Sequence, residues 1–508
     1  MHLSIPLFIP LAAGIVGLLV PRVLTRWVAL AGTLAVLGYS VAMIVDFDSA
    51  TRGLQWVTNE TWIDTLGIHY KLGVDGLNLF LIAATAFMWV IATLYAAVRE
   101  WERPKLFYFN LALAETAVLG AFMAQDLALF VVFFDLMLVP FYFLIGTWGR
   151  GNRVYATTKF VIYTLAGSLL MLAGAIALGV LSTPEGGQIS FQLSDLAAHP
   201  VGHGTQVWIF LLFAVAFLVK APAFPLHGWV PETYRATPIP VLILLSGILS
   251  KVGMYAFLRI VIPLMPGASA SLQELMLVIA VVSILYGSVL AFSQDDARLV
   301  VAYSSIAQLG FILLGIFALD PKGAQGSVIQ MVNHAVVVAG LFVIIGVIAA
   351  RARESESLER LGGMALRAPV LAALFLIVAL ATLAMPGTPN FVGEILILFG
   401  TFDEKFVYGL VASVGVALAA VYMIRLYQRT MHNRLAPDVE SSDLSYKLDL
   451  PALAPVVLVL IALGLYPQFV LHRTEASTTP KIARAALKAG SKSGPQHPEA
   501  STAKGATP

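Results

Sequence analysis

Apolar runs of about 20 residues recur along this chain with only short polar interruptions, and a run of that length crosses the hydrocarbon layer of a bilayer as one helix. They fall near 3–21, 26–46, 76–98, 106–124, 127–147, 158–181, 206–225, 239–265, 272–292, 299–319, 325–350, 368–385 (continuing 391–401), 406–427 and 451–471. This pattern predicts an all-α polytopic membrane protein of about 14 transmembrane helices, because a spanning segment in lipid must satisfy its backbone internally. Composition agrees: of 508 residues 59% are hydrophobic and only 12% charged, too few charges to cover a soluble surface of that size. There is no cysteine, so this chain offers no thiolate to an iron–sulfur cluster or structural zinc and forms no disulfide. Residues 1–4 lack the basic start of a cleavable signal, so the first run reads as a retained span.

Basic residues set the expected orientation. Loops after odd-numbered runs carry eighteen lysines and arginines, among them Arg99, Arg103, Arg150, Arg298 and Arg351, against four after even-numbered runs (Arg52, Lys71, Lys322 and Lys405). Basic loops stay inside, which places the N-terminus outside. The chain divides into an N-terminal three-helix segment (1–105), a first repeat (106–265), a second repeat (266–430), a last span (431–472) and a tail (473–508). The tail is rich in Ala, Ser, Lys, Gly and Pro and is expected to be disordered or weakly helical. Loops 47–74 and 182–205 are expected to form small caps, with Asp75 capping the third span.

Two spans carry breakers. The seventh is interrupted at Pro222 and Pro225, the twelfth at Pro386-Gly387 and Pro389. Proline cannot donate a backbone hydrogen bond, so each break frees carbonyls that only protein or trapped water can satisfy at membrane depth. Matching breaks five spans apart predict two inverted five-helix repeats, each containing a broken helix, an arrangement that points to a transport site.

Ionisable residues cluster around these breaks. Lys220 precedes the first, and Lys251 lies about twelve residues from each end of its run, too deep to snorkel. Asp135 is flanked by aromatics and aliphatics in LALFVVFFDLMLVPFYF, and Glu394 opens the half-helix after the second break. His334 is the single histidine deep in any span, and it titrates near neutrality. Each has a bland rival: helix pinning for Asp135, dipole capping for Glu394, a satisfied core residue for His334. Together they make an ordered set of acid, lysine, lysine, histidine and acid on spans five, seven, eight, eleven and twelve. Buried charge in lipid is costly and marks ion paths, so proton translocation through Asp135, Lys220, Lys251, His334 and Glu394 is the expected role. Glu115 is buried as well, and its role is open.

The segments FFDLMLVPFYFLIGTWG (133–149), KAPAFPLHGWVPETYRATP (220–238), GILSKVGMYAFLR (247–259), VVAYSSIAQLGFILLGI (300–316) and MPGTPNFVGEILILFGTF (385–402) resemble the M-type chains (mitochondrial subunit 4 type) of proton-translocating NADH:quinone oxidoreductase, complex I. Chains L and N and Mrp-type antiporter subunits are related. The resemblance covers spans three to thirteen. It implies an antiporter-like subunit of the membrane arm, in a bacterial inner membrane, that moves protons without a redox centre of its own. No cofactor is expected in this chain; FMN, iron–sulfur clusters and quinone would belong to other subunits. Partners implied are the other membrane-arm subunits, chains L and N above all, and the lipid bilayer, with no nucleic acid. By motif, Asp135 and Lys220 would form an ion pair, Lys251 the central relay and Glu394 the exit-side acid. Three positions depart from the pattern. Asp135 replaces the usual glutamate and shortens the reach by one methylene, Gln308 stands where a histidine is common, and His334 is followed by Ala-Val-Val, a drier run. An Mrp-type cation/proton antiporter subunit is the alternative reading, and a scaffold whose charges only hold helices together is a third.

Overall fold

A computed structural model describes residues 1–437, 439, 443–445, 447 and 449–491. Each apolar run falls on a helix or on a pair of helices. Among the described residues, eleven helices are long and apolar enough to cross a membrane, or twelve if the bent pair Leu450–Leu465 and Gln468–Lys488 counts as one span. Ser4–Leu19 and Pro369–Thr382 are apolar but shorter. The chain is therefore a multi-pass helical membrane protein.

Burial sorts these helices into a centre and a periphery. Ile239–Leu264 and Pro321–Arg351 are buried throughout their apolar windows, whereas Arg22–Asp46 and Phe406–Met431 are only a third buried. The two wholly buried helices carry Lys251 and His334, so the fold places those side chains as far from lipid as it can. Caps start several helices. Asp126 accepts from the amides of Ala128 and Leu129, Asp296 from Leu299, and Asp320 from Lys322 and Gly323. Each side-chain oxygen satisfies donors that a helix start leaves free.

Both breaks are present. His203–Lys220 ends at Lys220, residues 221–229 form turns, and Val230–Ala236 resumes. The displaced backbone is satisfied locally: the Ala223 amide donates to the Leu218 carbonyl at 3.1 Å, and the Trp229 indole donates to that of Val219 at 3.0 Å. The second break separates Pro369–Thr382 from Pro389–Glu404. A third irregularity was not foreseen. The helix around Lys251 widens to the π pattern at Leu245–Leu249 and again at Phe257–Val261, leaving Ser250–Ala256 as an α-helical turn between them. Such bulges concentrate at functional positions because they re-aim side chains within a helix.

Three features refine the expectations. The loop 47–74, expected to form a small cap, holds an antiparallel hairpin, Gln55–Ile63 paired with Ile68–Val74, within the otherwise helical fold. Its turn closes at Gly67, whose φ of +61° favours glycine and whose missing Cβ leaves room for the Ile189 carbonyl. Asp75 is more than a cap: its carboxylate, 4% exposed, accepts from both Arg259 amino groups at 2.8 and 2.6 Å and from Lys481 Nζ at 3.0 Å. Burial opposes ionisation there, yet Arg259 and Lys481 hold the Asp75 carboxyl well below the usual carboxylate range. Finally, of the tail expected to be disordered or weakly helical, residues 473–488 are helical, in a helix that begins at Gln468, before the expected boundary at 472. Gln468–Lys488 turns by 70° from the preceding helix and buries Val470, Thr474, Ser477, Thr478, Ile482 and Ala485, one stripe at helical spacing. Residues 492–508 lie outside the described residues.

Candidate functional site

Lys251 Nζ lies 2.8 Å from His334 Nδ1 and donates to the Ser246 carbonyl at 2.8 Å. With lysine as donor, His334 Nδ1 carries no proton and the pair is a ready-made donor–acceptor couple. Both residues are at most 1% exposed. The Ser246 hydroxyl lies 3.3 Å from that of Ser305 on Ala297–Phe317, extending the polar zone toward that helix.

Glu394 sits in a second polar node. Its Oε1 accepts from Gln308 Nε2 at 2.8 Å, and Gln308 Oε1 accepts from Gln330 Nε2 at 2.8 Å. Gln308, which stands where a histidine is common, is thus the direct partner of the acid. Asn333, next to His334 in the chain, donates to the Pro389 carbonyl at 2.6 Å and fastens the second break to the central helix. Five buried side chains here keep polar atoms without a partner: Glu394 Oε2, Gln330 Oε1, Asn333 Oδ1, Tyr422 Oη and both amide atoms of Asn390. Orphaned polar atoms are rare in protein interiors, and such a concentration of them fits a space that water shares.

The lysine at the first break behaves differently from the expected ion pair. Lys220 Nζ stands 4.6 Å from the centre of the Phe134 ring and makes only a long 3.5 Å contact to the Phe134 carbonyl. Asp135 is half-buried at the junction of Leu127–Leu136 and Leu138–Trp148, its Oδ1 unpartnered, and among the described residues no carboxylate pairs with Lys220. The expected Asp135–Lys220 pair is therefore open in this structure. Glu115 is fully buried with both oxygens unpartnered.

The structure thus joins Lys251 to His334 and places Glu394 one helix further on, while Lys220 meets Phe134 and forms no ion pair with Asp135. Sequence reasoning missed Gln330, Asn333, Asn390 and Tyr422. The first two had a signal: Gln330, Asn333 and His334 stand at i, i+3 and i+4 in an otherwise apolar helix, which makes one polar stripe. Among the described residues, no group of three or more His, Cys, Asp or Glu side chains could hold a metal ion.

Comparison with known proteins decides the family. The profile described as "NADH:quinone oxidoreductase/Mrp antiporter, TM" matches residues 124–420, more than half of the chain. The chain belongs to that family. It is 34% identical over 484 residues to NADH-quinone oxidoreductase subunit M of Rhodobacter capsulatus, covering 92% of this chain and 94% of that one. It is 33% identical to subunit M of Rickettsia typhi over 434 residues, 85% of this chain and 87% of the other. In three dimensions it resembles a chain of respiratory complex I from Thermus thermophilus with bound NADH, with a TM-score of 0.86 and 30% identity over 95% of this chain and all of that one. A chain of the Mrp complex from Dietzia has the same fold, with a TM-score of 0.82 at 22% identity over 96% of this chain and 97% of that one. The family match spans both helix breaks and every residue of the two polar nodes except Tyr422.

Proposed function

We propose that this chain is the proton-translocating, M-type membrane-arm subunit of a respiratory NADH:quinone oxidoreductase. The observation that carries the reading is the 2.8 Å contact between Lys251 and His334 on the two wholly buried helices. A lysine and a histidine in hydrogen-bond contact can exchange a proton without moving their backbones. From that couple the Gln330–Gln308–Glu394 string leads toward the second break. Lys220 and Asp135 form the other arm, and closing or opening their gap changes the charge that Lys251 feels. Protons are driven through this line by quinone reduction elsewhere in the complex, where FMN and iron–sulfur clusters belong to other subunits. Relatives named as subunits of the same enzyme support partnership with the other membrane-arm chains, with L-type and N-type chains as neighbours. The setting is a bacterial inner membrane, with the N-terminus on the periplasmic side, a placement that rests on the distribution of lysine and arginine.

The test uses the assembled complex in inverted membrane vesicles. Lys220→Ala and Asp135→Ala should each lower proton pumping and coupled quinone reduction while the complex assembles. Wild-type pumping in both variants would overturn the assignment. Co-purification with sodium-translocating antiporter chains in place of flavin-bearing ones would move the chain to the Mrp class.

A further inference from the structure

Partnerless oxygens gather on one face of the helix that follows the second break. Asn390, Gly393 and Glu394 stand at i, i+3 and i+4 of Pro389–Glu404, so they share one side of it. Pro321–Arg351 packs antiparallel against that side: the Asn333 amide donates to the Pro389 carbonyl, and a methyl group at Gly393 would overlap Gln330 Oε1. Gln330 and Asn333, at i and i+3, therefore bring their amides to the Asn390–Glu394 face. Tyr422 of Phe406–Met431 comes close to Gln308 and Glu394 in the same zone. All of these side chains are at most 3% exposed.

Acceptors outnumber donors there. Gln308 Nε2 donates to Glu394 Oε1, Gln330 Nε2 to Gln308 Oε1, and Asn333 Nδ2 to the Pro389 carbonyl. Left without a partner are four oxygens, Glu394 Oε2, Gln330 Oε1, Asn333 Oδ1 and Asn390 Oδ1, against two groups able to donate, the Asn390 amide nitrogen and the Tyr422 hydroxyl. Among the described residues no lysine, arginine or histidine pairs with Glu394. Two occupants redress such an imbalance: a proton on Oε2, or a hard cation that the oxygens share. A single positive charge cancels the one carboxylate. A divalent ion would leave a buried charge over, beside the positive start of Pro389–Glu404.

We infer that this face binds one small monovalent cation of the sodium class, with Glu394 Oε2 as the charged ligand and the amide oxygens of Gln330, Asn333 and Asn390 as the neutral ones, in exchange for the Glu394 proton. The inference rests on the proposed function only in that the same acid stands in the proton line; it adds an ion that competes there. As the cation enters, the carboxyl O–H bond breaks and the proton leaves to water, so the net charge of the site is unchanged. Asn390 is the residue that this site explains and the proton line does not. It is fully buried with both amide atoms partnerless, and it stands outside the Gln330–Gln308–Glu394 string. A buried amide that meets no protein group is rare, and a cation ligand is one of the few roles that account for it.

The test is binding of radioactive sodium to the purified, assembled complex at constant ionic strength, with choline as the replacing cation. Sites on other chains are the background, so the reading is the difference between the wild type and two variants of this chain, Glu394→Gln and Asn390→Leu. Each should weaken saturable sodium binding at one site per complex more than tenfold, and acid should displace the ion from the wild type. Equal sodium binding in all three complexes, or loss in Glu394→Gln with none in Asn390→Leu, would overturn the site. Thermal melting gives a second reading. Sodium should raise the midpoint of the wild type and leave that of Asn390→Leu where choline puts it. If the oxygens meet water alone, leucine removes an unsatisfied amide and raises the midpoint equally in both media, and that result would also overturn the site. Normal proton pumping by Glu394→Gln in sodium-free medium would instead sink the place of Glu394 in the proton line and leave the sodium result standing, so the two failures are separable.

Discussion

Asp75→Asn tests how the C-terminal helix is held. The carboxylate is shared by Arg259, 4% exposed, and Lys481, 20% exposed, and its charge is buried with theirs. Removing one partner of a buried ion pair typically costs about 3–5 kcal/mol, because the other charge stays buried without compensation. Water reaches the Lys481 arm, and asparagine keeps one acceptor oxygen, so the lower end of that range, about 3 kcal/mol, is the expectation. Local opening of residues 478–488 should then become on the order of a hundredfold more frequent. The assay is amide hydrogen exchange of Gln468–Lys488 in the intact complex, compared with the wild type. The first turns should stay protected, since Phe469 packs on Phe80 and Gln325 holds the Leu471 carbonyl. Acid should mimic the substitution. Asp75 is depressed in the folded protein, so its contribution is complete above the unfolded carboxylate pKa and is lost only as pH falls through the lower folded value. Protection of 478–488 unchanged within twofold in Asp75→Asn would refute the reasoning.

Other perturbations reach the remaining parts of the account. Gln308→Leu strips Glu394 Oε1 and Gln330 Nε2 of their partners at a cost of about 1–3 kcal/mol each, and it should lower both the thermal midpoint and the pumping rate. If neither moves, the string is not a string. Glu356 is buried but held below the usual carboxylate range by Arg298 and Arg150. The loop strap it anchors should hold at neutral pH and loosen as pH falls through that lowered value, read as protease sensitivity of 352–363. A strap that loosens on raising the pH would contradict the sign. Gly346→Ala pushes a methyl group into the Tyr95 hydroxyl, an overpacking worth about 1–3 kcal/mol, and Tyr95→Phe in the same chain should return part of the lost melting temperature.

The span pattern was legible because lipid imposes one constraint on every spanning residue. A 20-residue apolar run has no other stable reading at this density, and both breaks were visible because proline removes a donor wherever it stands. Pairings were less legible. Lys251 and His334 are 83 positions apart, and only the packing of Ile239–Leu264 against Pro321–Arg351 brings Nζ to Nδ1. The absence of an Asp135–Lys220 ion pair was not legible either, because it depends on where two helices set their side chains and not on which residues they carry. The C-terminal helix was hidden by composition. Its buried stripe, Val470 and Ile482 apart, runs over Thr474, Ser477, Thr478 and Ala485, small residues that read as a solvated tail until Asp75 supplies the partner for Lys481. The hairpin was hidden similarly, since its first strand is exposed at five of nine positions and shows little apolar alternation.

The central claim is that Lys251 carries the proton between the two halves of the chain. Methionine at this position removes the ammonium without leaving a void, and loss of the buried charge offsets the two acceptors left behind, so the complex should still assemble. The decisive measurement is the number of protons pumped per NADH oxidised by Lys251→Met complex in sealed inverted vesicles. The account predicts a lower ratio or a collapse of coupled turnover with normal assembly; wild-type stoichiometry at wild-type rate would contradict it.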